Sequence, residues 1–155
     1  MIYVGADHAG FTLKQEVVAW LGEWGEEFED VGAYALDPND DYPDYAFAVA
    51  ERVATSPRSH RGILACGSGQ GVCIAANKVA GVHAVVLDDP EEAKLAREHG
   101  DTNVVCLSGW RADPEELREV LRVWLATPFS NADRHARRLK KIADYEAEHW
   151  RWAGI

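Results

Sequence analysis

The segment Cys66-Gly-Ser-Gly-Gln-Gly71 concentrates more chemistry than any other in this chain. Glycines at alternate positions let successive backbone N–H groups turn towards one anion, and the helical pattern that follows adds its positive N-terminal end. A thiol at the lip of such an anion hole is a candidate base or nucleophile, because that setting favours the thiolate. The plain alternative for Cys66 is a small residue buried under a tight turn. Cys73 and Cys106 lie in apolar runs and read as core residues.

Other groups could join this chemistry. Asp7-His8 would bring a carboxylate and an imidazole to a neighbouring loop, with Asp7 as a helix cap the competing use. His99, in Glu98-His99-Gly100-Asp101, is either catalytic or a cation at a helix C-terminus, where the dipole favours it. Arg134 and Arg138 share a helical face at i, i+4 and could grip one phosphate with two guanidinium forks; the bland reading is a solvated face. His60, His83 and His149 have no chemical neighbours in sequence and read as surface or packing residues, while Trp150 and Trp152 suit covering apolar surface, a partner's included. Glycines 67, 69 and 71 with Asp88 loosely match a dinucleotide fingerprint, but the third glycine comes one residue early and the motif follows the third strand. A phosphate-binding P-loop fails for want of Gly-Lys-Ser/Thr, and no His or Cys pair has zinc spacing, so neither a nucleotide nor a metal cofactor is expected.

The elements that must position these residues alternate along the chain. Strands are expected at Ile2–Gly5, Phe28–Val31, Gly62–Cys66, Val82–Leu87 and Val104–Leu107. Helices are expected over Phe11–Trp24, Pro43–Ala54, from the glycine loop to Ala80, after each of the Asp89-Pro and Asp113-Pro caps, and from about Ala132 to near the end. Phe11, Leu13, Val17, Val18, Leu21 and Trp24 form the apolar stripe of the first helix. Five such alternations imply right-handed βαβ units and a parallel sheet with helices on both faces, in which ligands bind beyond the carboxyl ends of the strands. The segments there are Ala6–Gly10, the Cys66 loop, Asp88-Asp89 and the loop after the fifth strand.

The 155 residues fit one domain, residues 1–155, with 47% hydrophobic residues to build its core. With 26 acidic residues against 16 Lys+Arg, the net charge of −10 speaks against nucleic acid or an anionic membrane surface as partner. An anionic ligand then needs a local basic cluster, and the last helix supplies one: Arg134, Arg137, Arg138, Lys140 and Lys141. Three cysteines, an odd number, with no signal peptide and no apolar run near membrane length, point to a reduced cytoplasmic setting.

Taken in order, Val4-Gly-Ala-Asp-His-Ala-Gly-Phe11, Asp41-Tyr-Pro-Asp-Tyr-Ala46, Cys66-Gly-Ser-Gly-Gln-Gly71, Ala75-Ala-Asn-Lys78, His99-Gly-Asp-Thr-Asn103 and Arg134-His-Ala-Arg-Arg138 resemble the ribose-5-phosphate isomerase B family, which also contains galactose-6-phosphate and allose-6-phosphate isomerases. The resemblance implies a Rossmann-like three-layer sandwich, a cofactor-free aldose–ketose isomerase, and a homodimer with shared active sites. Its C-terminal helix would extend to the partner, and a tetramer is left open. It further implies that Asp7 and His99 open the sugar ring, that Cys66 moves a proton between C2 and C1 through a cis-enediolate, and that Ser68 handles protons on O1 and O2. Gly67, Gly69, Gln70 and Gly71 would hold the developing oxyanion, Tyr42 and Asn77 would line the sugar site, and His8, Arg134 and Arg138 would bind phosphate, the arginines from the other subunit. Relatives that lack the cysteine carry a glutamate just after the glycine loop; here Val72 stands there, which leaves Cys66 as the base.

Three departures bear on the substrate. Gly100 stands where the family has Asn, His83 where Arg is frequent, and one extra residue precedes Arg111. Ribose 5-phosphate is the expected substrate with a four-carbon or six-carbon aldose phosphate as the alternative, and a non-catalytic phosphosugar or nucleotide sensor is the competing class.

Overall fold

Short apolar strands with both faces destined for burial must satisfy their backbone N–H and C=O groups on one another. A computed structural model describes residues 1–111 and 113–150. It contains β1 (Ile2–Ala6), α1 (Phe11–Trp24), β2 (Phe28–Asp30), α2 (Tyr42–Ala54), β3 (Arg61–Cys66), α3 (Gln70–Ala76), β4 (Ala84–Val86), α4 (Pro90–Gly100), β5 (Val104–Ser108), α5 (Pro114–Ala126) and α6 (Asp133–His149). All four strand pairings are parallel, and the order across the sheet is β2-β1-β3-β5-β4.

Alternate residues of the central strands feed two cores. Ile63, Ala65, Val105 and Leu107 pack under α1, α4 and α5, whereas Leu64, Cys66, Val104 and Cys106 pack under α2 and α3. The expected three-layer arrangement is thus present. The buried face of α1 takes in Trp20 and also Lys14, whose Nζ is fully enclosed and bonded to both Asp30 oxygens, at 2.7 and 2.6 Å, and to the Ala33 carbonyl. A helical stripe drawn from apolar residues alone leaves Lys14 out, since only its carboxylate partner makes its burial tolerable.

Three elements are shorter than the sequence suggests, β2 by one residue, since it ends at Asp30 and not at Val31. The expected helix to Ala80 stops at Ala76, where the Asn77 side chain turns to the edge of β4: its Oδ1 accepts the Ala84 N–H at 2.9 Å and its Nδ2 donates to the Ala84 carbonyl at 2.8 Å. The expected strand Val82–Leu87 is confined to Ala84–Val86. Val82 N–H bonds back to Val79 in a turn, and Leu87 N–H reaches Cys106 as the chain leaves the sheet. The two Asp-Pro starts behave as expected: Asp89 accepts the N–H groups of Glu91 and Glu92, and Asp113 that of Glu115. Trp152 lies outside the described residues. No helix among them is long and apolar enough to cross a membrane.

Candidate active site

The strand order reverses between β1 and β3, since β1 leads outward to β2 and β3 begins the excursion to β4 and β5 on the other side. A crevice opens beyond the carboxyl ends at such a point. Ala6 pairs with Ala65, so Asp7 and Cys66 leave the sheet side by side. Cys66 is only 4% exposed, and the Gly69 N–H donates to its Sγ at 3.1 Å. Gly69 can aim that N–H because it adopts φ 76°, in the left-handed region where a side chain would be strained. Ser68 is half-buried on the loop, its Oγ accepting the Gln70 N–H at 3.3 Å, and Gln70 opens α3 with its side chain exposed.

Asp7 is buried, and one of its oxygens accepts the Gly10 N–H at 3.0 Å ahead of α1. Capping and chemistry are therefore not exclusive here: Oδ1 serves the turn. Burial pushes the Asp7 carboxyl above its ordinary value, against the opposing pull of the Gly10 bond and of His8. A carboxyl so placed is suited to giving and taking a proton rather than to a fixed charge.

His8 brings in a residue that the motifs do not mark. Asp40 Oδ1 lies 2.6 Å from His8 Nδ1 and also accepts the His8 backbone N–H at 3.0 Å. That hydrogen bond raises the His8 pKa above its ordinary value, favouring a cationic ring at the mouth. Burial pulls the Asp40 carboxyl up, but the two bonds from His8 prevail and hold it down. Asp40 lies in the run Asp37-Pro-Asn-Asp-Asp41, whose composition suits a turn and carries no catalytic spacing. Asp7, His8 and Asp40 bring one ligand atom each within 4.8 Å of one another, yet the donors face each other in a hydrogen-bonded pair, which suits an oriented imidazole better than a metal ion. Tyr42 follows at the start of α2, partly exposed, its ring against the backbone of Gly71.

The remaining candidates sit elsewhere. His99 lies in the last turn of α4, and in a βαβ unit that end lies at the amino edge of the sheet, opposite the Cys66 loop. The four rises from Val104 to Ser108, roughly 3.3 Å each, separate the edges by about 13 Å. At that edge the His99 ring lies 4.3 Å, centroid to centroid, from His135 of α6, with Arg134 and Arg138 exposed on either side of it along the helix. Neither arginine is in an ion pair among the described residues. His135 is buried, its Nδ1 lies 2.7 Å from Ser130 Oγ, and its pKa is lowered by burial first and then by His99 and the two arginines. A single chain thus has two half-constellations. Asp7, His8, Tyr42 and residues 66–71 form one, and His99, Arg134 and Arg138 form the other.

Asn77 contributes to neither, its amide being spent on Cys73 and Ala84. Cys106 is buried in the core with its thiol pKa pushed well up by burial, and Cys73 is half-buried with its Sγ on the Ala84 carbonyl at 3.4 Å. His60, after α2, bonds to the Arg52 carbonyl of that helix and His149 to the Tyr145 carbonyl of its own, whereas His83 Nδ1 reaches the carbonyl of Gly100 at 3.0 Å, so two of the three departures touch each other.

Residues 2–142 match the family model described as Ribose/Galactose Isomerase. Ribose-5-phosphate isomerase B of Mycolicibacterium paratuberculosis is 40% identical over 148 residues, 96% of this chain and 92% of that one. The crystal structure of ribose-5-phosphate isomerase B from Mycoplasma genitalium with bound ribulose-5-phosphate superposes with a TM-score of 0.92 at 41% identity, covering 95% of this chain and 96% of that one. Type B ribose 5-phosphate isomerase of Trypanosoma brucei superposes with a TM-score of 0.86 at 47% identity, covering 94% and 97%.

Proposed function

The chain belongs to the ribose/galactose isomerase family, and from that premise we propose that it interconverts an aldose phosphate and the corresponding ketose phosphate, ribose 5-phosphate and ribulose 5-phosphate first among them. The observation that carries the reading is the Asp7–Cys66 pair at the switch point, a buried carboxyl of raised pKa beside a thiol that already receives an N–H. Two proton-handling groups stand there, Asp7 suited to opening the sugar ring and Cys66 to the 1,2-proton shift.

In the proposed cycle Asp7 and His99 open the furanose, one giving a proton to the ring oxygen while the other takes the O1 proton. The Cys66 thiolate then removes the C2 proton, leaving a cis-enediolate, and returns that proton to C1. Ser68 passes the hydroxyl proton between O2 and O1. Negative charge gathers on O1 and O2 meanwhile, where N–H groups of Gly67, Gly69, Gln70 and Gly71 act as donors. Tyr42 lines the sugar, and His8, Arg134 and Arg138 neutralise the phosphate. No metal or nucleotide takes part in any step.

Since His99 and both arginines stand at the far edge of their own sheet, we infer that they complete the site of a second copy. The exposed Ile142 and Tyr145 on α6 support an extended homodimer contact. Gly100 lies next to His99, and without the amide of an Asn the sugar pocket is roomier on that side, which favours some turnover of six-carbon substrates. Initial rates on four-, five- and six-carbon aldose phosphates, with chelator present and no nucleotide, test the reading. Turnover headed by ribose 5-phosphate is expected, whereas binding of a nucleotide with no turnover of any sugar phosphate would overturn it.

A further inference from the structure

Trp110 is the most exposed tryptophan among the described residues, 72% open at the carboxyl edge of the sheet. An indole left in water costs hydrophobic free energy, so its placement needs a reason. It is held in place from below. Its backbone N–H donates to the Gly67 carbonyl at 3.1 Å, and the preceding Gly109 N–H donates to the Cys66 carbonyl at 2.9 Å. The Gly67 carbonyl also accepts from Ser108 Oγ at 2.8 Å. The two residues after β5 are therefore tied to the last residue of β3 and the first residue beyond it, and the indole follows from that attachment. Its six-membered ring lies on Gly67 so closely that a Cβ there would overlap it.

The same geometry recurs at the other end of the loop. A Cβ on Gly71 would stand 2.8 Å from the Tyr42 ring. Two aromatic rings thus bracket the glycine loop, Trp110 at its first glycine and Tyr42 at its last, with the Cys66 thiol bonded to Gly69 between them. Gly109 leans towards Asp7's loop, since a Cβ on it would meet the Ala9 carbonyl at 2.6 Å. The indole is accordingly a wall of the crevice and not a stray surface side chain. Small-ligand sites pair a few placed polar groups with aromatic walls of this sort, and the flat apolar face of an indole suits the C–H side of a sugar while its hydroxyls meet the polar groups.

We propose that Trp110 contacts the substrate and sets which chain length is accepted, the sugar lying between its indole and the Tyr42 ring over the glycine loop. This rests on the isomerase reading. The extra residue before Arg111 falls in the segment that bears the indole, so this departure in the sequence would act as a specificity element.

The experiment compares wild type with Trp110→Ala and Trp110→Phe. Trp110→Ala is expected to raise KM for ribose 5-phosphate about tenfold with kcat within about twofold, the scale of one aromatic contact. It should also raise the six-carbon to five-carbon ratio of kcat/KM, while Trp110→Phe stays close to wild type in both. Adding ribulose 5-phosphate should change tryptophan emission in wild type, and much of that change should be lost in Trp110→Phe. Unaltered KM and substrate ranking in an active Trp110→Ala would overturn the proposal, as would a loss of kcat with KM intact, which would make Trp110 a support for Cys66 only. Dissociation of Trp110→Ala assemblies by light scattering would overturn it too, since the indole would then belong to an interface. A wild type with no turnover of any aldose phosphate fails the isomerase reading instead, so the two failures are distinct.

Discussion

Cys66→Ala and His99→Ala chains, each purified alone, are expected to be almost inactive, and a mixture of the two is expected to regain activity that neither has. The magnitude follows from the topology. Cys66 stands at the carboxyl edge of β3 and pairs with Ser108, while His99 precedes the start of β5 at the opposite edge, about 13 Å away along the strand. Proton transfer needs donor and acceptor within about 3 Å or one bridging water, so the two cannot serve one sugar from a single chain. In a homodimer with two shared sites, each site takes Cys66 from one subunit and His99 from the other. Random pairing of the two variants at equal ratio makes about half the dimers mixed. In a mixed dimer one site carries both substitutions and the other carries neither. Activity should therefore return to about a quarter of wild type, that half multiplied by one intact site in two. The assay is the initial rate of ketose formation after co-refolding, with native mass spectrometry on distinguishable tags to count mixed dimers. A quarter of wild-type activity with half of the dimers mixed supports the split site. Confirmed exchange with no recovered activity would refute it, and the His99 cluster would then be a surface feature of its own chain.

Three further outcomes follow from the same geometry. Cys66→Ala should lose 10²-fold or more in kcat with KM nearly kept, as expected for a general base, whereas Cys73→Ala, altering a thiol outside the crevice, should lose little; steady-state kinetics of the pair decides. Asp7→Asn should gain stability while losing activity. Burial raises the folded carboxyl pKa above 3.8, so the native state is penalised increasingly as pH climbs through and past that value, and the Asn can still accept the Gly10 N–H. Thermal melts should show the variant above wild type at pH 7, with the gap closing near pH 3, and an equal gap at both pH values would count against the buried-charge account. Asp40→Asn should move the alkaline rise of KM to lower pH. His8 is held protonated chiefly by its Asp40 hydrogen bond, so the contribution of its charge is full below about 6.5 and is lost as pH rises through the raised folded value. A KM–pH profile that does not move would separate His8 from phosphate binding.

The separation of His99 from Cys66 and Asp7 is partly readable from the sequence. Strand–helix alternation alone puts the end of every helix at the edge opposite the end of every strand, and His99, as the penultimate residue of α4, had to fall away from Cys66 and Asp7. The order β2-β1-β3-β5-β4 was not readable, because a right-handed crossover fits either neighbour, and with it went the adjacency of Asp7 and Cys66 across the β1–β3 pair. Asn77 was read as a sugar contact because its motif is shared with sugar-phosphate isomerases; the fold spends its amide on Ala84, where a helix end buried against an edge strand would otherwise leave backbone groups unpaired. Trp110 and Asp40 carry no spacing signal at all. Each acts through contact with a residue far off in sequence, Trp110 with Gly67 and Asp40 with His8, and such pairings exist only once β1, β3 and β5 lie next to one another. The glycine loop is thus local and legible, while the residues that pack on it and charge its surroundings come from other strands. For that reason the substitutions that separate substrates in this chain are expected outside Cys66–Gly71, at Trp110 beside the loop and, if a second copy completes the site, at Gly100 and His83 on that copy's opposite edge.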